Sequence, residues 1–266
     1  VTFNGRGFDV PILESRYILN RMPPLSLARP HLDLLPVARQ LWRDHLPSRA
    51  LGELERHILE IKRSDEDLPS ALIPDFYRRY LDTGDTTQIR RIFYHNEIDV
   101  LSLATLLAHQ ARMVLSPEEM ELAPAEWVGV GRLYDKADME PEALDAWHLA
   151  LSGELGELET ECAERLWSDI AWRYKRREAW HAAFEVWETW IRCIPLAVEP
   201  LIEEAKYYEW TDRDLSKALT CTERALRRAL TGPTGINRYK TLAELRHRRK
   251  RLRSKIEREQ TRQQKD

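Results

Sequence analysis

The spacing of apolar residues divides the chain into a first half that mixes short strands with helices and a second half built of helices. The stretch 86–115 contains no proline or glycine and repeats apolar residues at near-helical intervals, which predicts one long helix. Two short β-type runs, 1–3 and 31–35, are each followed by a helical pattern, and further helices are predicted at about 50–61 and 72–82. The pattern predicts an incomplete α/β layer near the amino end, with an exposed sheet edge.

Polar and glycine residues follow the β-type run 1–3 directly. The segment 4–9 has the sequence Asn-Gly-Arg-Gly-Phe-Asp. Two glycines permit a tight turn, and Asp9 lies where the next helix should begin. An aspartate before a helix is often an N-cap, so position alone does not make Asp9 a ligand. Asp33 also precedes a helix, and we expect a structural role for it.

A second polar motif, 94–100, lies on the long predicted helix. His95 and Asp99 are four residues apart and therefore share a helix face, whereas Tyr94 is turned well away from Asp99. Taken alone, an aspartate at this position is more often a solvated helix residue than a ligand. The geometry favours His95 over Tyr94 as the group that works with Asp99.

The second half repeats itself. When two stretches of the second half are aligned, the matching residues keep the same spacing in both. A third unit follows at the 34-residue period of tetratricopeptide repeats. This pattern predicts helical hairpins whose concave face binds an extended protein partner. The matching residues are Trp127, Val130, Gly131, Tyr134, Ala143 and Trp147; Trp167, Ile170, Ala171, Tyr174, Ala183 and Trp187; and Ala205, Tyr208 and Ala218. We expect the tryptophans to be core residues. Glu204 stands where an apolar residue is usual, so the third repeat is predicted to be degenerate.

Amino-acid composition limits the class of protein, its binding partners and its compartment. The chain has 266 residues, 43% of them apolar and 32% charged, which suits two soluble globular domains. Its formal net charge of -3 argues against a binder of polyanions over the whole surface. We expect no membrane span, because no apolar run approaches the roughly 20 residues that are needed to cross a bilayer. Three cysteines without metal-site spacing indicate buried thiols, and the cytoplasm is the expected compartment.

The last predicted helix is strongly basic. It carries Arg246, Arg248, Arg249, Lys250, Arg251, Arg253 and Lys255. Such a helix could contact phosphates, or it could be a solvated capping helix of the repeat array.

The order of the motifs resembles the YprB-like branch of the DEDD 3′–5′ exonuclease superfamily, which has a ribonuclease H-like fold. The resemblance covers about 1–115 and rests on Asn-x3-Phe-Asp after a strand, Asp-Leu-Leu after the next helix, and a Tyr/His-rich helix ending in Asp-Val. It implies metal-ligand roles for Asp9 and Asp99, in a two-metal site for Mg²⁺ or Mn²⁺. His95 would accept the proton, although it lies four residues before Asp99, a position that is Tyr in one branch. Asn4 would order the turn or contact the nucleic acid, and Phe8, also expected to be a substrate-binding residue, would pack beneath the site.

Two hypotheses result. The first is the carboxyl-terminal part of an exonuclease-like hydrolase (1–117) that acts on single-stranded ends, followed by tetratricopeptide-like repeats with a basic terminal helix (118–266). The family's first Asp-x-Glu motif is expected upstream of Val1, so the chain by itself should be nearly inactive. The alternative is a non-catalytic repeat scaffold that carries a degenerate nuclease-like domain. Either way, the whole is predicted to be α/β plus all-α, and helical for the most part.

Overall fold

The computed structural model describes residues 1–23, 30–65, 67–153, 158–232 and 236–263. They form a largely helical chain that separates into two compact units, Val1–Gly153 and Glu154–Asp266. The helices of the first unit are α1 (Asp9–Leu19), α2 (Leu34–Leu41), α3 (Leu51–His57), α4 (Ile73–Thr83), α5 (Ile89–Leu115), α6 (Pro124–Lys136) and α7 (Glu140–Ser152). Those of the second unit are α8 (Thr160–Arg176), α9 (Trp180–Cys193), α10 (Glu199–Trp210), α11 (Leu215–Thr231) and α12 (Ile236–Gln263).

The expectation of an α/β layer is wrong. In the described part of the chain the only β-type pairing is an isolated parallel bridge between Thr2 and Asp33. It consists of hydrogen bonds from the Thr2 amide to Leu32 O and from the Leu34 amide to Thr2 O, both 2.9 Å. A ladder needs a further row of paired residues, whereas α2 begins at Leu34 immediately after the bridge. The predicted sheet, and its exposed edge, are therefore not formed, while the expectation of a mainly helical chain holds.

The first unit has its core where α2, α5 and α6 meet. Leu41, Trp42, Leu106 and Val130 are fully buried there. Gly129 of α6 lies against the backbone of α2, so that a Cβ at this position would be 2.2 Å from the Leu41 carbonyl oxygen. The Gly129 site therefore sets how closely the two helices approach.

Several helices of this unit leave apolar residues uncovered among the described residues. None of the residues of α1 is buried, and Ile18 and Leu19 are more than two-thirds exposed. On α5, Phe93 and Leu115 are similarly exposed. In the described part of the chain, α5 is one helix that is long and apolar enough to cross a membrane, judged by length and composition alone. This finding corrects the expectation that no segment of the chain has the length and apolar composition of a membrane span. A core helix of a soluble protein passes the same test, so α5 alone assigns no membrane location.

In the second unit the helices pack in chain order, α8 on α9, α9 on α10, α10 on α11 and α11 on α12. Trp167 and Trp187 are 5% and 1% exposed, and Trp147 of the first unit is 3% exposed, which confirms that these tryptophans belong to the core. Trp127 is only partly buried. Ala171 and Ala205 are buried at the predicted small positions.

One turn conformation recurs between paired helices. Asp138, Glu178 and Arg213 all have φ between 56° and 60°, at the turns that follow α6, α8 and α10. In the first two turns a backbone amide donates to the backbone carbonyl oxygen of a tyrosine five residues earlier. These hydrogen bonds join Met139 to Tyr134 at 2.9 Å and Ala179 to Tyr174 at 3.0 Å. The repetition seen in the sequence is thus matched by a repeated turn. The predicted boundary between the nuclease-like region (1–117) and the repeats (118–266) concerns the evolutionary origin of the two parts, so it stays a prediction.

Candidate functional site

Helix α5 presents His95 and Asp99 to an open cleft of about 820 Å³. The two residues are one turn apart on the same face, as their spacing predicted, and His95 Nε2 lies 3.5 Å from Asp99 Oδ2. The other walls of the cleft come from α3 and from the segment that joins α3 to α4. The cleft therefore combines a long helix with a connecting segment rich in charged residues.

The connecting segment supplies a guanidinium group at the centre of the cluster. Arg63 donates from Nε and Nη2 to the two carboxylate oxygens of Glu55, both at 2.6 Å. Its Nη2 also donates to Asp99 Oδ1 at 2.5 Å, and its Nη1 lies 3.4 Å from both oxygens of Asp67. One cation thus joins three carboxylates, of which Glu55 has only 2% of its side chain exposed.

His95 is held in one orientation by its neighbours. It is 8% exposed, and its Nδ1 lies 2.7 Å from Asp67 Oδ1. An ionised carboxylate only accepts hydrogen bonds, so the shorter contact with Asp67, against 3.1 Å from Nδ1 to Arg63 Nη1, favours the proton of neutral His95 on Nδ1. Nε2 then keeps its lone pair, 3.3 Å from the Ser70 hydroxyl and on the side of Asp99. The ring can therefore accept a proton at Nε2.

The charges in the cluster stabilise one another. Burial acts to raise the pKa of Asp67, but the hydrogen bond from His95 and the charge of Arg63 outweigh it and hold that pKa below its ordinary value. Hydrogen bonds to Glu55, opposed by burial, raise the pKa of Arg63, and Asp99 adds to the rise. Arg63 therefore stays charged at any working pH.

The amino-terminal motif lies apart from this cluster in its contacts. Asp9 is exposed at the first position of α1, and none of the hydrogen bonds or ion pairs among described residues joins it to Asp99. Phe8 is 60% exposed, so the expected packing beneath a site is not observed. Asn4, with φ of 63°, donates its backbone amide to Asp33 Oδ1 at 2.7 Å. Tyr94 accepts a hydrogen bond from the Ser64 amide at 3.1 Å, away from Asp99, as its position on the helix predicted.

Asp33 has the structural role expected of it. It is 6% exposed and caps α2 through the Leu35 amide at 3.3 Å. It also accepts the amides of Asn4 at 2.7 Å and Arg6 at 3.0 Å, which fixes the turn before Asp9. Burial opposes ionisation, yet the amides of Arg6, Asn4 and Leu35 hold the pKa of Asp33 below its ordinary value.

Sequence reasoning missed Glu55, Arg63, Asp67 and Ser70. They lie between 25 and 40 residues before His95, in or beside a segment without apolar periodicity, so no spacing rule pointed to them. The only available signal was the alternation of basic and acidic residues after α3, which is also typical of a solvated loop.

Comparison with known proteins places the motifs in a family context. Residues 1–111 match the RNase_H superfamily. In an alignment of 239 positions that covers 85% of the chain, the sequence is 32% identical to the "Uncharacterized protein YprB" of Bacillus subtilis (strain 168). The match spans 54% of the length of that relative. Both polar motifs fall within the RNase_H superfamily match, so a nuclease-like ancestry of this region is supported by sequence, although its α/β fold is not seen.

Members of this superfamily usually use divalent metals, and the residues here can be tested against that need. Carboxylate oxygens suit Mg²⁺ or Mn²⁺. In the part of the chain described, however, no group of three or more His, Cys, Asp or Glu has an arrangement that could hold a metal ion. Arg63 lies where a cation would have to contact Asp99 and Glu55. Among the described residues, the present arrangement, in which Arg63 holds Asp99 and Glu55, therefore does not form a metal site.

Proposed function

We propose that this chain carries part of a metal-dependent nuclease of the 3′–5′ exonuclease type that acts on single-stranded nucleic-acid ends. The observation that carries the proposal is the RNase_H superfamily match over 1–111, because it contains both the Asp9 and the Asp99 motifs. In this proposal Asp9 and Asp99 are the metal-binding carboxylates of the second and third motifs, and Asp99 would exchange its contact with Arg63 for the metal. Mg²⁺ or Mn²⁺ would supply charge stabilisation of the phosphodiester when bound.

The proton acceptor in the proposal is His95. Its support is the contact with Asp67, which leaves Nε2 free to accept a proton on the side of the cleft where Asp99 lies. Tyr94 does not have this position, since its hydroxyl is engaged by the Ser64 amide. Asn4 and Phe8 are proposed to contact the nucleic acid. The exposure of the Phe8 ring is compatible with stacking against a base.

The helix pairs α6/α7, α8/α9 and α10/α11 are proposed to be tetratricopeptide-like repeats that recruit a protein partner. The proposal is supported by the matching offsets in the sequence and by the repeated turn at Asp138, Glu178 and Arg213. Fold alone does not identify the partner.

A second candidate function is a non-catalytic scaffold with a degenerate nuclease-like domain. One observation favours it: Arg63 pairs with Glu55, Asp67 and Asp99, as in a structural ion network that needs no metal. In that case the cluster would only connect α3, the following segment and α5.

An assay on labelled single strands distinguishes the two. Single-stranded DNA and RNA, labelled at either end, are incubated with Mg²⁺, Mn²⁺ or a chelator. The proteins are this chain and the longest open reading frame that contains it. We expect this chain to be nearly inactive, because two carboxylates leave most of the charge of two divalent ions uncompensated. The longer protein should shorten strands from the 3′ end only when metal is present.

Variants of the longer protein assign the residues. Asp9→Asn and Asp99→Asn should each abolish turnover, whereas Asp75→Asn, at an exposed carboxylate on α4, should not change it. His95→Ala should lower the rate and alter its pH profile more than Tyr94→Phe does. Retained activity in Asp99→Asn, or no activity with any divalent metal, would establish the scaffold instead.

A further inference from the structure

Helix α12 concentrates positive charge in a chain that is acidic overall. Its sequence contains eleven Lys or Arg and three Glu, a net charge of +8, whereas the whole chain carries -3. The remaining residues together therefore carry -11. Such asymmetry is typical of a local surface for polyanions.

Part of this charge is used inside the second unit. Arg248, Arg251 and Lys255 all contact Glu209, whose side chain is fully buried, at 3.2, 2.6 and 2.8 Å. Burial opposes ionisation of Glu209, but the hydrogen bonds from Lys255 and Arg251 hold its pKa below the ordinary value. Three cations on one carboxylate exceed what its neutralisation requires. These residues attach α12 to α10 and leave a positive surplus.

A second set of basic side chains has no such use. Among described residues, six basic side chains of α12 form no ion pair with a carboxylate: Arg238, which donates to the carbonyls of Ala229 and Leu230, and Lys240, Arg246, Arg249, Lys250 and Arg258. Arg253 pairs with Glu223 at 2.6 Å, but the two side chains are 56% and 37% exposed, and an ion pair in contact with solvent contributes little.

Helical geometry places several of these cations in one row with an aromatic ring. Positions 239, 246, 250 and 253 fall on the same side of a helix with 3.6 residues per turn. They hold Tyr239, Arg246, Lys250 and Arg253, which we call the α12 outer face. Tyr239 is 70% exposed. The row is about 21 Å long, which corresponds to about six nucleotides at 3.4 Å per nucleotide.

We propose that the α12 outer face binds single-stranded nucleic acid. Arg246, Lys250 and Arg253 contact successive phosphates, and the Tyr239 ring stacks on a base, which is how single strands are held without sequence preference. The choice of a single strand as the polyanion rests on the proposed function. The surface itself lies outside the RNase_H superfamily match and would bind whether or not the cleft is catalytic.

A membrane surface is less suited to this face. Helices that lie in a bilayer interface insert a free apolar side. The three leucines of α12, Leu242, Leu245 and Leu252, are already buried in the second unit, with 7%, 2% and 0% exposure. Charge and an exposed ring are what remain for a partner.

The test is binding of a fluorescent 12-nucleotide single strand, followed by anisotropy in EDTA between 50 and 200 mM NaCl. EDTA excludes hydrolysis, so a failed nuclease proposal would not affect the outcome. Replacing Arg246, Lys250 and Arg253 together by Gln should reduce the slope of log affinity against log salt by about 2, since each phosphate contact contributes about 0.7. Tyr239→Ala should weaken binding about tenfold and leave the slope unchanged.

A matched control removes the same charge elsewhere. Arg78 and Arg79 are exposed on α4 and Arg192 is exposed on α9, and their joint replacement by Gln should leave affinity and slope unchanged. Circular dichroism checks that each variant keeps the wild-type helix content. The proposal is overturned if the wild-type chain does not bind the single strand, or if both triple variants lose the same amount of affinity for it. It is also overturned if anionic lipid vesicles compete as well as an unlabelled strand does.

Discussion

The contact between α2 and α6 provides a sharp test of the packing, through the substitution Gly129→Ala. An added Cβ would be 2.2 Å from the Leu41 carbonyl oxygen and 2.6 Å from its Cα. These are backbone atoms, so the overlap cannot be relieved by a side-chain rotation, and the two helices must move apart. This packing joins the predicted nuclease-like region to the first helix of the predicted repeats.

The magnitude follows from two opposing terms. Alanine is favoured over glycine inside a helix by about 1 kcal/mol. Overpacking costs typically about 1–3 kcal/mol, and we take the upper end because the contact is with backbone. The net result should be a loss of about 1–2 kcal/mol.

Gly52→Ala on α3 is the matched control. No atom lies within 4 Å of a Cβ at Gly52. The same substitution there keeps the helix-propensity term without the clash, so it should stabilise α3 by up to about 1 kcal/mol.

Hydrogen exchange read by mass spectrometry measures both variants at the level of individual helices. Peptides from α2 and α6 should exchange about tenfold faster in Gly129→Ala, and α3 peptides no faster in Gly52→Ala. Unchanged or slower exchange of α6 in Gly129→Ala would refute the close approach of the two helices.

Three further predictions follow from particular contacts. The pKa of Asp33 is lowered in the folded protein, so its contribution to stability is present above the ordinary carboxyl pKa of 3.8 and is lost as the pH falls through the pKa of the folded state. Asp33→Asn should remove this pH dependence, which is measured from the Asn4 amide resonance in NMR titrations. Trp187→Ala should destabilise the second unit by about 3–5 kcal/mol in thermal melts, against less than about 1 for the half-exposed Trp172→Ala. Arg63→Gln should increase Mn²⁺ binding several-fold in relaxation measurements, because the carboxylates lose a competing cation; equal binding would show that Arg63 does not compete.

Local patterns predicted the helical part of the fold well. The stretch 86–115 became α5 over Ile89–Leu115, because it has no helix-breaking residue and its apolar residues recur at helical spacing. The approach of His95 and Asp99 followed from the same periodicity. Burial of Trp187 followed from its repeat position. Each of these features is determined within a few residues of sequence or within one repeat.

Non-local features could not be predicted in this way. A strand is stable only with partners, and the runs at 1–3 and 31–35 formed no more than one bridge. The second run was ended by Asp33, whose side chain starts α2 at the next residue. Arg63 reaches Glu55 and Asp99 across 8 and 36 residues of chain, from a segment without periodicity. Pattern rules carry no information about such contacts.

Asp9 and Asp99 are proposed to bind one divalent cation once Asp99 has exchanged its contact with Arg63 for the metal, and a double-mutant cycle for Mn²⁺ binding to the longer protein tests this proposal most directly. Free Mn²⁺ is quantified by electron paramagnetic resonance for the wild type, Asp9→Asn, Asp99→Asn and the double variant, with Asp75→Asn as control. If both carboxylates bind one ion, each single variant weakens binding and the double variant is hardly weaker than either, which gives a coupling of about 1 kcal/mol or more. Losses that simply add, or single variants that bind as the wild type does, would contradict a shared site.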